Sequence, residues 1–413
     1  MAGNVASTDQ DRIFLAALVF AVLLSQVMLY PGIEDLITAL GVEADVSDGL
    51  GPQFDAAMWF LSLEFMGYLV FVGVWGVASD RVGRRRPFIV FCAVAGAIGY
   101  IALAVLPSIW GVPFEILLFL RFIQGALTIG AFSLAITMLM DLDGGHGRNM
   151  GAAGIAIGLG AFLGAAVGGV LTSIHPFTPL FGAAGLLMLV GLGTRMITDR
   201  APRHSQSIRR TLIEIIDEPV LAVPFAFGFI DRFAAGFFAL VGVFYFRDVF
   251  GLSEIGAGFM LALFFLPFAL LQYPFGKLSD RIGRTYPIVI GSALFGFAII
   301  GVGLAPVVWL AAIGMFLVGI LGALVSPATM ALVTDLSVET DRATSMSGFN
   351  FFGSLGFLSG FLVGGTMAIE FDYVASFLVA GGLEIVLALV TIPIFLRLRR
   401  RGRIDEPVVV STE

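Results

Sequence analysis

The stretch Gly76-Val-Ala-Ser-Asp80-Arg81-Val-Gly83-Arg84-Arg85 returns 200 positions later as Gly276-Lys-Leu-Ser-Asp280-Arg281-Ile-Gly283-Arg284-Thr285, each copy between long apolar segments. A repeat at so wide a spacing marks two copies of one unit. It extends beyond these residues. Pro87 matches Pro287, and Asp141-Leu142 with Arg148 matches Asp335-Leu336 with Arg342 at the same offset.

The chain has 413 residues, of which 58% are hydrophobic and 13% charged, with a mean hydropathy of +0.99. That leaves too little polar surface to clothe a soluble globule, so the chain belongs in a bilayer. A hydrocarbon core of roughly 30 Å needs about 20 apolar residues of helix. Twelve such segments can be read, at 13–33, 56–78, 87–106, 114–140, 149–172, 178–197, 220–246, 256–278, 287–305, 308–333, 344–368 and 374–396. Residues 1–12 are polar and hold two aspartates, which reads as a tail and not as a removable signal peptide. A single cysteine, Cys92, excludes an intramolecular disulfide.

Lys and Arg resist translocation and collect on the cytoplasmic side. All 23 cations except Arg121, Arg232 and Arg247 lie in the N-terminal tail, after segments 2, 4, 8 and 10, around the central loop, or in the C-terminal tail. This predicts that both termini and the central loop are cytoplasmic. The opposite face carries Arg247 as its cation, against Glu43, Asp45, Asp48 and Asp55.

The charged break at 198–219 divides the chain. We expect a tail at 1–12, a six-helix bundle at 13–197, a central loop at 198–219, a second bundle at 220–397 and a tail at 398–413. The Gly-x-x-x-Asp-Arg-x-Gly-Arg-Arg pattern after segment 2, its weaker copy after segment 8, and twelve helices in two halves resemble the major facilitator superfamily. The resemblance implies an all-α membrane fold of two pseudo-symmetric six-helix bundles that rock to give alternating access. It also implies a monomer in the plasma membrane.

The repeated loop has a physical logic. A short turn between antiparallel helices needs a residue that tolerates positive φ, which Gly83 and Gly283 supply. Pro87 and Pro287 suit the first turn of the next helix, where a missing N–H costs nothing. Asp80 and Arg84 stand one turn apart if the helix continues, so they can pair. In the family, this acid also meets a helix end of the other half, here segment 11 for Asp80 and segment 5 for Asp280. Gly76, Asp80, Arg81, Gly83, Arg84 and their copies Gly276, Asp280, Arg281, Gly283, Arg284 then form a conformational latch. The alternative is a turn that merely fixes orientation.

Two further patterns carry the resemblance. Arg121-Phe-Ile-Gln124-Gly125 in segment 4 resembles the Arg-x-x-Gln-Gly signature of proton-coupled members, although Leu127 and Ile129 replace expected small residues. In segment 5, Gly151 followed by Gly160, Gly164, Gly168 and Gly169 matches the glycine spacing of the antiporter signature, with Ala165 in place of its proline. Small residues four apart also let a partner helix approach closely, whatever the direction of transport.

Charges stranded in apolar segments are functional candidates by default. Asp231 and Arg232 interrupt segment 7 about 17 Å from its start, close to the midplane, and point about 100° apart on the helix. The resemblance places segments 1, 4, 7 and 10 on a central cavity, so Arg121, Gln124, Asp231, Arg232 and Phe233 are candidate substrate contacts. Asp231 is the first candidate for the coupling proton and Glu64 the second, with Arg121 tuning it by charge. A permanent Asp231–Arg121 pair that only holds the halves together is the alternative. Glu384 in segment 12 suggests no role. Phe225, Phe229, Phe233 and Phe237 recur at steps of four, a stripe that faces a lipophilic substrate, lipid or a neighbouring helix.

The three histidines lie in separate loops, and neither half has a Gly-x-x-x-x-Gly-Lys loop, which argues against metal, cofactor and nucleotide chemistry and against an enzyme. No nucleic acid partner is expected. The reading is a secondary active transporter that exports small amphipathic molecules in exchange for protons. Two alternatives stand beside it. One is a symporter or facilitator for a sugar or organic acid; the other is a non-transporting receptor or membrane enzyme on the same scaffold.

Overall fold

The computed structural model describes residues 2–42, 50–142, 146–199, 219–337, 342–400 and 404. Glu43, Asp45, Asp48, most of the central loop and the tail beyond 404 lie outside the described residues, as do the side chains of Arg148 and Arg342.

Helix is the regular structure throughout the described residues. In the first half come α1 (Ala2–Val27), a short α2 (Ile33–Ala39), α3 (Pro52–Val82), α4 (Arg86–Trp110), α5 (Phe114–Met140), α6 (His146–Ile174) and α7 (Thr178–Gly193). The second half holds α8 (Ala222–Phe237), α9 (Val243–Asp248), α10 (Glu254–Ile282), α11 (Thr285–Gly303), α12 (Val308–Leu336), α13 (Arg342–Glu370) and α14 (Tyr373–Arg400). Among the described residues eleven helical spans are long and apolar enough to cross a membrane, with α8 and α9 counted as one span. The twelfth apolar helix, α7, has 16 residues and is extended by the 3₁₀ turn Thr194–Met196.

The expected turns are realised by glycine. Gly83 caps α3 in the left-handed region at φ 69°, and its N–H reaches the carbonyls of Asp80 and Ser79. Gly283 takes the same left-handed backbone region at φ 88°. An L side chain there would carry a cost of roughly 1–2 kcal/mol, so the repeat keeps glycine while Val82 and Ile282 vary beside it. Pro87 falls in the first turn of α4, where it removes no intrahelical bond.

Contacts divide the chain into two compact units, one of residues 1–206 with 242–265 and one of 207–241 with 266–413. Their internal plans match. In the first unit α1 packs on α6, and α4 on α5 and α7; in the second α8 packs on α13, and α11 on α12 and α14. First with fifth, third with fourth and third with sixth are the same pairs in both, as a duplication requires.

Two spans are shared between units, and each is irregular close to the division. Between α8 and α9 the helix widens into a π-helical stretch at Phe238–Gly242. Helix α10 carries Pro267 just past Phe265. Extra residues and missing N–H donors are the usual causes of bends in helices. Within the first unit α9 is tied down by Arg247, which meets Glu34 through Nε at 3.0 Å and Asp35 through both terminal nitrogens, Nη2 at 3.1 Å. Burial pushes the Glu34 carboxyl above the usual carboxylate range, and the Arg247 charge opposes it.

Candidate functional site

Polar side chains inside an apolar bundle persist where they satisfy one another. The first unit contains such a network. Arg121 on α5 and Glu64 on α3 are both 0% exposed, and Arg121 Nη2 donates to Glu64 Oε2 at 2.6 Å. Gln124, one helical turn further along α5, accepts from Arg121 Nη1 at 2.5 Å and donates to Thr128 Oγ1 at 2.7 Å. Tyr68 and Tyr100 donate to Glu64 Oε1 at 3.3 and 3.5 Å. The guanidinium carbon stands 4.8 Å from the Phe60 ring centre and 5.5 Å from that of Tyr100, close enough for both rings to favour the cation. Arg121 Nε has no hydrogen-bond partner among the described residues.

The backbone makes room for this arrangement. A Cβ at Gly125 would stand 2.4 Å from the Glu64 carbonyl oxygen, and one at Gly67 would stand 2.4 Å from that of Phe122. Two glycines therefore let α3 and α5 cross at backbone contact, which brings a carboxylate and a guanidinium together from opposite helices.

In the second unit Asp231 and Arg232 lie on α8. Arg232 Nη2 donates to Asn350 Oδ1 on α13 at 3.0 Å, and its side chain covers Gly353. Asp231 Oδ1 is buried without a hydrogen-bond partner among the described residues. Phe233 is buried within the unit, and its carbonyl oxygen lies 2.3 Å from where a Cβ on Gly360 would stand. The phenylalanine stripe is the seam on which α8 meets its neighbours: Phe225 stacks on Phe352 at 5.6 Å and Phe237 meets Phe377 edge-on at 4.9 Å.

Glycines of α6 face α1. A Cβ at Gly160, Gly164 or Gly168 would stand 2.8, 2.9 or 2.2 Å from the carbonyl oxygens of Phe20, Leu24 and Met28. Gly169 turns toward Glu254 at the start of α10, within the same unit.

The repeated loops differ from expectation in one register. Asp80 pairs with Arg85 at 3.6 Å, and Arg85 also bonds Asp141. In the second copy Arg284 itself bridges Asp280 at 2.5 Å and Asp335 at 3.0 Å. Helix α3 ends at Gly83, so Arg84 does not continue its spiral and is exposed, while the buried Arg85 takes the bridging place that Thr285 is too short to fill in the second copy. Burial works against the Arg284 charge, but the hydrogen bonds that it donates to Asp335 and Asp280 outweigh this and hold the proton more firmly. Arg81 and Arg281 are exposed, and a Cβ on Gly76 would meet nothing within 4 Å among the described residues. Arg85, Asp141 and Asp335 are thus absent from the expected latch, although the duplicated Asp-Leu pair points to the two acids. Arg85→Ala is expected to destabilise the protein by about 1–3 kcal/mol, the scale of hydrogen bonds to a charged group, and Arg84→Ala by much less; thermal unfolding in detergent compares them.

A sequence profile described as Major Facilitator Superfamily matches residues 15–253 and again 225–409. The chain belongs to the major facilitator superfamily. It is therefore a multi-pass membrane transporter with that family's fold. Among curated relatives it is 26% identical over 300 residues to the tetracycline resistance protein, class G, of Vibrio anguillarum, covering 70% of this chain and 74% of that one. It is 26% identical over 359 residues to the multidrug resistance protein MdtG of Enterobacter lignolyticus, covering 84% of each. Among solved structures, a bacterial homologue of the human lysosomal transporter Spinster superposes with a TM-score of 0.75 at 14% identity, over 95% of this chain and 97% of that one.

Proposed function

We propose that this transporter works by secondary active, alternating access, exporting small amphipathic molecules across the plasma membrane in exchange for protons, as a monomer with both termini cytoplasmic. The observation that carries the reading is the fully buried Glu64–Arg121–Gln124 network. A buried carboxylate that neutralises a guanidinium can exchange that partner for a proton, and the guanidinium must then find another acceptor. Proton binding is in this way tied to a change of polar contacts, and such a difference between two states is what shifts a conformational equilibrium.

Asp231, whose Oδ1 has no hydrogen-bond partner among the described residues, is a second exchange group. Asp231 and Arg232, both partly exposed, are the candidate cargo contacts of the second unit, whereas Arg121, Gln124 and Phe233 are buried in packing; the loops around Asp80 and Asp280 act as the latch. Export is supported by relatives named for resistance to tetracycline and to multiple drugs.

Flux in proteoliposomes under an imposed pH gradient tests this. Asp231→Asn is expected to lose the gradient-driven part of transport while folding normally; Glu64→Gln should lose it too, at a cost in stability because it leaves the Arg121 charge buried without its carboxylate. Unchanged pH-dependent flux in both variants overturns the assignment of the coupling groups, and accumulation along the proton gradient overturns export.

A further inference from the structure

Glu384 on α14 takes no part in the network above, yet it is 0% exposed. Ser292 on α11, also fully buried, donates its hydroxyl proton to Glu384 Oε2. Glu384 Oε1 has no hydrogen-bond partner among the described residues. An orphaned carboxyl oxygen is expensive in lipid and calls for an explanation.

The neighbourhood supplies one. Helices α8, α11 and α13 all pack on α14. From α8 come Asp231, whose charge acts on Glu384, and Arg232. Helix α11 offers Ser292, its titratable Tyr286 lying near its start beside Arg399. Helix α13 offers Asn350, with its ionisable residues Arg342 and Glu370 at its two ends. Ile230 and Leu383, the residues just before each acid, line one apolar groove of about 480 Å³ together with Phe225, Phe229 and Phe352. Asp231 and Glu384 stand on two helices that pack on one another, α8 and α14, each with a buried carboxyl oxygen that has no hydrogen-bond partner among the described residues.

The support beneath Glu384 is rigid. A Cβ on Gly296 would stand 2.4 Å from the Gly381 carbonyl oxygen, and a Cβ on Gly381 would stand 2.4 Å from that of Gly296. Helices α11 and α14 thus touch backbone to backbone at this level, which fixes Ser292 against Glu384.

Charge decides the occupant. With Asp231 and Glu384 both ionised, Arg232 cancels only one of them and a net negative charge stays on a group that includes the fully buried Glu384, whereas one added proton brings the group to neutrality. We infer that Asp231 and Glu384 form a two-carboxyl proton-binding site of the second unit, holding one exchangeable proton, with Ser292 as the positioning residue of Glu384. Uptake converts a carboxylate and a proton into a neutral carboxylic acid, and release reverses it. The inference deepens the proton-coupled reading and rests on it for its role in transport.

Infrared pH titration of the purified full-length protein in detergent reads the site without transport. Wild type should show a titrating carboxylic-acid carbonyl band that Glu384→Gln removes. Asp231→Asn should move the titration midpoint of the remaining band, and Ser292→Ala should change its frequency through the lost hydrogen bond while leaving it titratable. A band indifferent to Glu384→Gln, a midpoint indifferent to Asp231→Asn, or a midpoint set by sodium concentration would each overturn the inference. If Glu384→Gln does not fold, the Ser292→Ala and Asp231→Asn titrations still decide it. Proteoliposome flux run alongside separates the two claims: wild-type flux blind to a pH gradient sinks proton coupling even where the titration succeeds.

Discussion

Arg121→Ala is expected to destabilise the protein by about 3–5 kcal/mol, because it strands the fully buried Glu64 carboxylate without its charge partner. Glu64 would keep neutral donors in place of a charge, among them Tyr68 and Tyr100 at 3.3 and 3.5 Å. Thermal unfolding in detergent measures the loss, and transport under a pH gradient should fall to background. Lysine at this position would keep the charge but not the fork that meets Glu64 and Gln124 with separate nitrogens, so Arg121→Lys should recover stability only in part. The informative variant is double. Replacing Arg121 and Glu64 together with methionine removes both charges, and well-packed apolar substitutes for a buried ion pair are often neutral in stability. A folded double variant that no longer responds to the gradient assigns the pair to coupling; a folded double variant that still responds shows that it only holds α3 to α5.

The second large effect belongs to a glycine. A Cβ at Gly356 on α13 would stand 1.9 Å from the carbonyl oxygen of Phe229 on α8, and one at Gly236 would stand 2.1 Å from that of Phe357. Backbone atoms cannot rotate away as a side chain can, so Gly356→Val must separate the two helices along their seam. Overpacking in a filled interior typically costs about 1–3 kcal/mol, and here every contact of the α8–α13 seam shares the displacement. Loss of folded protein on expression is the expected result. Gly185 on α7 is the control: a Cβ there meets nothing within 4 Å among the described residues. Gly185→Ala should leave the protein intact or stabilise it by roughly 0.5–1 kcal/mol through lower chain entropy.

Much of the fold was written in the chain because lipid imposes simple rules. Length and hydropathy placed the spans, the repeat exposed the duplication, and Gly83 and Gly283 announced their turns because few other residues take that backbone conformation. Partners were harder to read. Helix α3 is apolar on nearly all sides, so periodicity says nothing about which way Glu64 points, and Arg121 could be matched to an acid on any other helix. Tyr68 lies four residues from Glu64 and was within reach of helical spacing, whereas Tyr100 comes from a different helix and leaves no trace in the sequence. The exchange of Arg84 for Arg85 turns on where one helix stops. Ser292 and Glu384 are separated by 92 residues, and only packing reveals that they meet.

Glu64 and Arg121 stand 57 residues apart, and this separation has a consequence for biogenesis. The ribosome delivers the acid well before the base, so each segment first faces the insertion machinery with a solitary charge. A basic or acidic side chain at the centre of an inserting helix carries a penalty of about 2.5–3.5 kcal/mol on the translocon scale. The apolar residues around Glu64 and Arg121 must outweigh that penalty until the second hairpin docks beside the first, which makes early assembly of α3 with α5 a condition for integrating this chain.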